Sequence, residues 1–484
     1  MQSYLVLIVI AIYFGILLSV SYFISRKSTD NETFFLANRK SPWYLIAIGM
    51  IGTSISGVTF VSVPGMVRNS NFAYMQMVLG FFFGYLVIAY VLLPLYYRLN
   101  LTTIYTYLDK RFGRRSYKTG ASFFLLSKIV GSSAKMYIVA LILQQLVFDY
   151  WKIPFYATVV ITVLMIWLYT KNSGIKAIVW TDLIQTTVLV LALIFIIYQV
   201  VTKINSAHLL SDLIHSPHTK IFVFDDFGNK QFFWKQFLTG VFIPIVMTGL
   251  DQGLMQKNLT CRTLKDAQKN MLWYGASFVP LNLLFLTLGA MVLMFANQNG
   301  IILPDKSDKI LTVFVSQYLG NGVLVLFVLG MIATAFSSAD DSLTAVTTSF
   351  SIDILEIDKM EEQKAIKLRK RIHIASAFVF VFCVIVFKLI NNDSIIDTIY
   401  TLVGYTYGPL LGMYAYGLFT KKSVNDKIVP YICIATPILS YAINVLSTSC
   451  FYYTFGYELL MINGGLTFLG MLISAPKPLN GGLY

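Results

Sequence analysis

Apolar residues in this chain come in long blocks, of which Tyr4 to Ile24 and Ala73 to Tyr97 are examples. A block of about 20 such residues, coiled into a helix, matches the roughly 30 Å hydrocarbon thickness of a bilayer. Read against glycine, proline and charge punctuation, the blocks predict thirteen spans: 4–24, 43–66, 73–97, 119–148, 154–170, 177–201, 236–254, 271–296, 320–354, 373–390, 395–419, 428–447 and 457–474. The ninth is long enough to project beyond the bilayer. The first is too long for a signal-peptide core and has no small-residue cleavage site after Ile24, so it is expected to be retained.

Composition agrees with the blocks. Of 484 residues, 57% are hydrophobic and 12% charged, too little polar surface to cover a soluble globule of this size. Cys261, Cys383, Cys433 and Cys450 show no paired spacing, so neither a disulfide framework nor a metal site is expected. The formal charge of +14 raises nucleic acid as a partner. However, most lysines and arginines fall in the loops after odd-numbered spans and in the C-terminal tail, including Arg26, Lys27, Lys257 and Lys477. The positive-inside rule then predicts a multi-pass protein of the cell's inner (plasma) membrane, N-terminus outside and C-terminus cytoplasmic. Topology accounts for the charge, anionic lipid is a sufficient basic-face partner, and no nucleic acid is expected. Three of the four histidines, His208, His215 and His218, sit in the longest outer loop without metal-ligand spacing. Nothing in the sequence demands an oligomer.

Two spans are interrupted. The second carries Gly52-Thr53-Ser54-Ile55-Ser56-Gly57-Val58-Thr59 and then Pro64-Gly65; the seventh carries Pro244 and Thr248-Gly249. Backbone polar groups in lipid must be satisfied internally, so such breaks belong in protein or at a cavity. Small residues also serve helix packing, and a single break leaves both readings open. Two breaks opening successive five-span sets, two to six and seven to eleven, point to an inverted-repeat transporter. A further bend is expected at Gly404-Tyr405-Thr406-Tyr407-Gly408-Pro409.

Buried carboxylates need a partner or a task. Asp182 lies near the start of the sixth span, and Asp340 and Asp341 lie in mid-ninth. Ser337, Asp340, Asp341 and Thr344 share a helix face by spacing, an oxygen-rich set suited to a hard cation such as sodium. A proton shared by the adjacent carboxylates is the alternative. Lys128 and Lys135, seven apart on one face of the fourth span, either neutralise Asp340 or Asp341 or meet an anionic solute.

These features together resemble the sodium/solute symporter family, which includes bacterial proline, galactose and sialic acid carriers. The resemblance rests on Gly174 to Gln185, on Asp251-Gln252 with Gln256 and Thr263 to Ala267, and on Ser337-Ser338 ahead of Ser351 to Ile354. It implies an all-α integral membrane fold with a five-plus-five inverted-repeat (LeuT-like) core, one extra N-terminal helix and two extra C-terminal helices. The corresponding divisions are 1–42, first repeat 43–202, outer loop 203–235, second repeat 236–419 and C-terminal helices 420–484. It implies a sodium ion held by backbone oxygens of Gly52, Ile55 and Thr334 and by the hydroxyls of Ser337 and Ser338. A second cation is implied at Asp182, with Asp340 and Asp341 standing where the sialic acid carriers have serines. Substrate-facing hydroxyls map to Ser54, Ser56 and Thr59, with Phe72 and Gln76 nearby. The carboxylate-binding arginine falls at Gly131, with Lys128 and Lys135 about a turn to either side, which makes Lys135 an anion partner.

The expected function is sodium-coupled import of a small polar organic solute (sugar, sugar acid or other monocarboxylate) by alternating access. A proton-coupled carrier on the same fold is the alternative. A membrane enzyme using the Asp340/Asp341 pair lacks a complementary His or Lys cluster at a membrane face, so no catalytic residues are assigned.

Overall fold

The computed structural model describes residues 2–25, 30–171, 174–204, 206, 208–225, 227–390, 395–451, 453 and 455–475. Arg26, Lys27 and Lys477 lie outside the described residues. In chain order the main helices are α1 (Gln2–Ser25), α2 (Trp43–Ser54), α3 (Gly57–Ser70), α4 (Tyr74–Arg98), α5 (Arg114–Leu143), α6 (Phe155–Thr170), α7 (Ile175–Lys203), α8 (Phe233–Gly249) and α9 (Gln252–Leu259). They continue with α10 (Leu264–Gln298), α11 (Ser307–Tyr318), α12 (Asn321–Ile354), α13 (Glu362–Ile390), α14 (Ile395–Thr406), α15 (Gly408–Phe419), α16 (Val429–Phe451) and α17 (Leu459–Ile473). Among the described residues, eight helices are long and apolar enough to cross a membrane, or ten when each bent pair is one span. Two more, α6 and α17, are apolar but shorter.

Residues such as Leu191, Ile194, Phe378 and Phe382 are each more than half exposed, the apolar exterior that a lipid-facing bundle carries. Burial identifies the centre. In the most apolar stretch of α12, 72% of positions are buried, against 17% for α1. Helices α2, α5 and α7 pack directly on α12.

Both interrupted spans are bent where the sequence places the break. Helices α2 and α3 meet at 59°. Ile55 leaves helical geometry (φ −76°, ψ 80°), and the Ser56 amide bonds Ser54 O at 2.9 Å instead of the Gly52 carbonyl four residues back. Helices α8 and α9 meet at 67°. Pro244 has no N–H to donate, the last turn widens over Ile245–Gly249, and Leu250 N reaches back to Ile245 O at 2.9 Å. The chain then restarts as α9 with Asp251 as its cap.

Helices α4 and α8 pack against each other along a glycine seam. A Cβ on Gly240 would lie 2.1 Å from Met77 O, and one on Gly80 would lie 2.3 Å from Phe237 O. Small residues let backbones approach, and in lipid such packing supplies much of the drive for association. Gly240→Val therefore forces the two backbones apart. We expect a loss of about 1–3 kcal/mol or more, read as a lower melting temperature of the purified protein. Gly15→Val, on the exposed α1 with nothing within 4 Å, should melt as wild type.

Candidate functional site

The helices at both breaks, α2 and α9, pack on α12 and touch each other, and five buried charges connect them. Lys128 on α5 donates to Asp251 at 2.9 and 3.0 Å and to Asp341 Oδ2 at 2.8 Å. Lys257 on α9 donates to Thr53 Oγ1 at 2.6 Å, and its ammonium lies 2.8 Å from Asp182 Oδ2 and 3.4 Å from Asp341 Oδ1. The order Asp251, Lys128, Asp341, Lys257, Asp182 alternates in sign throughout. Asp182 Oδ1 in turn accepts from Ser337 Oγ at 2.6 Å.

Local structure places each member. Asp251 caps α9, accepting from Gly253 N at 2.9 Å and Leu254 N at 3.2 Å, so it stabilises the restart of the broken helix as well as Lys128. Tyr407, at the junction of α14 and α15, donates to Asp251 Oδ2 at 3.0 Å. Gly253 leaves room for Asp341, since a Cβ there would lie 2.5 Å from its Oδ2.

The adjacent carboxylates of α12 do not form one site. Asp341 faces the two lysines, whereas Asp340 accepts from Tyr169 OH at 2.7 Å, and its other oxygen has no hydrogen-bond partner among the described residues. Neighbouring positions on a helix point about 100° apart, which separates them. Lys128 neutralises Asp341, one of the expected pairings, and Lys257 joins it there, whereas Lys135 forms no ion pair among the described residues. Lys257, counted in the sequence among cytoplasmic loop charges, is 1% exposed.

The oxygens expected for sodium lie around the first break. Ser338 Oγ donates to Thr53 O at 2.8 Å, and Ser337 Oγ is 2.9 Å from Thr53 Oγ1. Thr334 turns its hydroxyl back to Met331 O, which leaves position 334 its carbonyl. A Cβ on Gly52 would lie 2.2 Å from Thr186 Oγ1, so a larger residue there would have to displace the Thr186 side chain. This oxygen-only set suits a hard monovalent cation. The second implied cation fares differently, because the Lys257 ammonium already stands against Asp182 and Asp341.

A cavity of about 120 Å³ opens beside the charge ladder. Ser54, Lys128, Lys135, Asp251, Ser338 and Asp341 supply polar walls, and Phe81, Tyr85, Tyr274, Phe278 and Tyr407 supply aromatic ones. Ser54 hydrogen-bonds Tyr274, which accepts from Tyr85 OH at 3.2 Å. Of the residues expected at the substrate, Ser54 and Lys135 line this cavity; Ser56, Thr59, Phe72 and Gln76 do not. Gln76 instead donates to Gln231 O at 2.8 Å and accepts from Val223 N at 3.1 Å, and Phe72 N bonds Lys220 O at 3.2 Å. Both residues fasten the loop ahead of α8 to the start of α4.

The family model for the sodium:solute symporter family matches residues 34–427. The chain belongs to this family. The symporter is 24% identical over 474 residues to the sodium/sialic acid symporter NanT of Aliivibrio fischeri, covering 94% of this chain and 91% of that protein. It is 23% identical over 407 residues to the sodium-coupled monocarboxylate transporter 2 of Bos taurus, covering 81% of this chain and 64% of that one. Its fold is similar to the substrate-bound outward-open structure of a Na⁺-coupled sialic acid symporter, with a TM-score of 0.82, 20% identity and 98% of each chain covered. It is thus a membrane-embedded solute symporter, with sodium as the coupling ion, and not an enzyme.

Sequence reasoning missed Asp251 and Lys257 as site residues. Asp251 could have been found as the residue immediately after a Pro- and Gly-interrupted span. Lys257 gave only the signal of a basic loop. If the ladder is the internal cross-tie of the symporter, Lys128→Met strands a buried carboxylate and should cost about 3–5 kcal/mol of stability. Adding Asp251→Asn, which keeps the cap, should recover part of that loss in thermal melts.

Proposed function

We propose that this symporter moves a small monoanionic organic solute, a sugar acid or other monocarboxylate, inward with sodium. The observation that carries this reading is Lys135: it lines the cavity and has no ion-pair partner among the described residues, while Lys128 and Lys257 are committed to carboxylates. A spare ammonium beside Phe81, Tyr85 and Phe278 offers a carboxylate a counter-ion and the carbon skeleton an apolar wall. The relatives named for sialic acid and for monocarboxylates support this class of solute.

The coupling ion binds the Gly52, Ile55 and Thr334 carbonyls with the Ser337 and Ser338 hydroxyls, tying the bend of α2 and α3 to α12. Thr53 borders both this site and, with Ser54, the solute cavity, so sodium binding sets the shape of the solute site. Ten of the thirteen predicted spans, the second to the eleventh, form two inverted five-span repeats that rock about this centre, with the N-terminus outside the plasma membrane and the C-terminus in the cytoplasm. One sodium carried with a monoanion moves no net charge, so the sodium concentration gradient, about 1.4 kcal/mol per tenfold ratio, drives accumulation of the solute. A monomer contains the whole site.

Two variants test the assignment in vesicles containing the purified protein, with a panel of radiolabelled monocarboxylates and neutral sugars. Lys135→Gln should raise the solute concentration for half-maximal uptake about tenfold, the equivalent of about 1.4 kcal/mol, with sodium dependence unaltered. Equal effects on acids and neutral sugars would contradict the anion reading. Ser338→Ala should shift the sodium concentration for half-maximal uptake upward while leaving solute affinity at saturating sodium near wild type. An unchanged sodium curve would reject that serine as a ligand.

A further inference from the structure

The acidic cage at Asp182 and Asp341 already contains a positive charge covalently attached to the chain. The Lys257 ammonium lies against three oxygens: it donates to Thr53 Oγ1 at 2.6 Å, pairs closely with Asp182 Oδ2 at 2.8 Å, and makes a longer ion-pair contact with Asp341 Oδ1 at 3.4 Å. All three charged side chains are 1% exposed, so the ammonium is held by protein oxygens, as a dehydrated metal cation would be. The cage is also tight. A Cβ on Gly49 would lie 2.8 Å from Asp182 Cβ, and one on Gly253 2.5 Å from Asp341 Oδ2.

We propose that Lys257 is a built-in cation that takes the place of a second sodium ion, so that this symporter binds one sodium per chain. Charge balance across the contacts supports this. The ladder joins three carboxylates to two ammoniums, leaving one negative charge, and Ser337 Oγ, bonded to Asp182 at 2.6 Å, connects that excess to the serine pair. One sodium there cancels it. A second between Asp182 and Asp341 would sit within a few ångströms of the Lys257 ammonium and would share Asp341 with Lys128. A lysine in this place does something that a free ion does not: it stays attached to α9 and holds Thr53 of α2, Asp182 of α7 and Asp341 of α12 in register throughout. The count of one relies on the sodium reading of the serine pair; the occupancy of the cage does not.

The test is equilibrium binding of sodium alone to the purified full-length protein, measured with radioactive sodium by scintillation proximity, on wild type, Lys257→Arg and Lys257→Gln. Wild type and Lys257→Arg should each bind one sodium per chain, and Lys257→Gln should bind two. Two sodium ions on wild type, or no gain in a folded Lys257→Gln protein, overturns the built-in cation. No sodium on wild type with one on Lys257→Gln supports the built-in cation and overturns instead the sodium site at Ser337 and Ser338. Should Lys257→Gln not fold with two carboxylates exposed to each other, the wild-type count still decides, two overturning the proposal and one upholding it.

Discussion

Three carboxylates and two ammoniums withdrawn from water at the centre of the bundle are the constraint on which the rest of this structure depends. Each charge alone carries a desolvation cost of several kcal/mol, offset only when the partner sits at hydrogen-bond distance and the remaining donors and acceptors are satisfied. The ladder meets the first demand by alternation, with Asp341 Oδ1 alone among its carboxylate oxygens held by an ion-pair contact and no hydrogen bond among the described residues, and its members come from α5, α7, α9, α12 and the Asp251 cap. Helices broken by Ser, Gly and Pro have little intrinsic rigidity at their breaks. Charge contacts between both breaks and α12 supply what the backbone hydrogen bonds there do not.

The same arrangement separates three tasks within a small space. Hydroxyl and carbonyl oxygens beside the first break offer a site to sodium, the alternating ladder cross-ties the helices, and Lys135 is left to face the cavity. Because Thr53 touches both Lys257 and Ser337, and Ser338 touches Thr53 O, a change at the ion site is felt at once by the ladder and by Ser54 at the cavity wall. Coupling between ion and solute then needs no long path.

Much of the fold was legible because lipid permits so few solutions: long apolar blocks are helices, and broken ones face protein. The bends at Ile55 and after Pro244 could be read from glycine, proline and small polar residues alone. The site was legible in part. Ser337, Ser338 and Asp182 were visible as polar residues with no place in lipid, but Phe72 and Gln76 were read toward the substrate when their contacts are with a loop. Lys257 was the hardest to read, since a lysine following a span looks like a loop charge. Its burial depends on the 67° bend that turns α9 back into the bundle, and sequence spacing does not reveal such a turn. Likewise, spacing put Asp340 and Asp341 together, and only the packing of Tyr169 on one side and two lysines on the other separated them.

The most direct test of the ladder is an experimental density map of the full chain in saturating sodium, resolved well enough to place side-chain ammoniums and bound ions. The account predicts the Lys257 ammonium between Thr53, Asp182 and Asp341, with a single cation density, at the Ser337 and Ser338 hydroxyls. A cation density between Asp182 and Asp341, with Lys257 swung away from the cage, would contradict it.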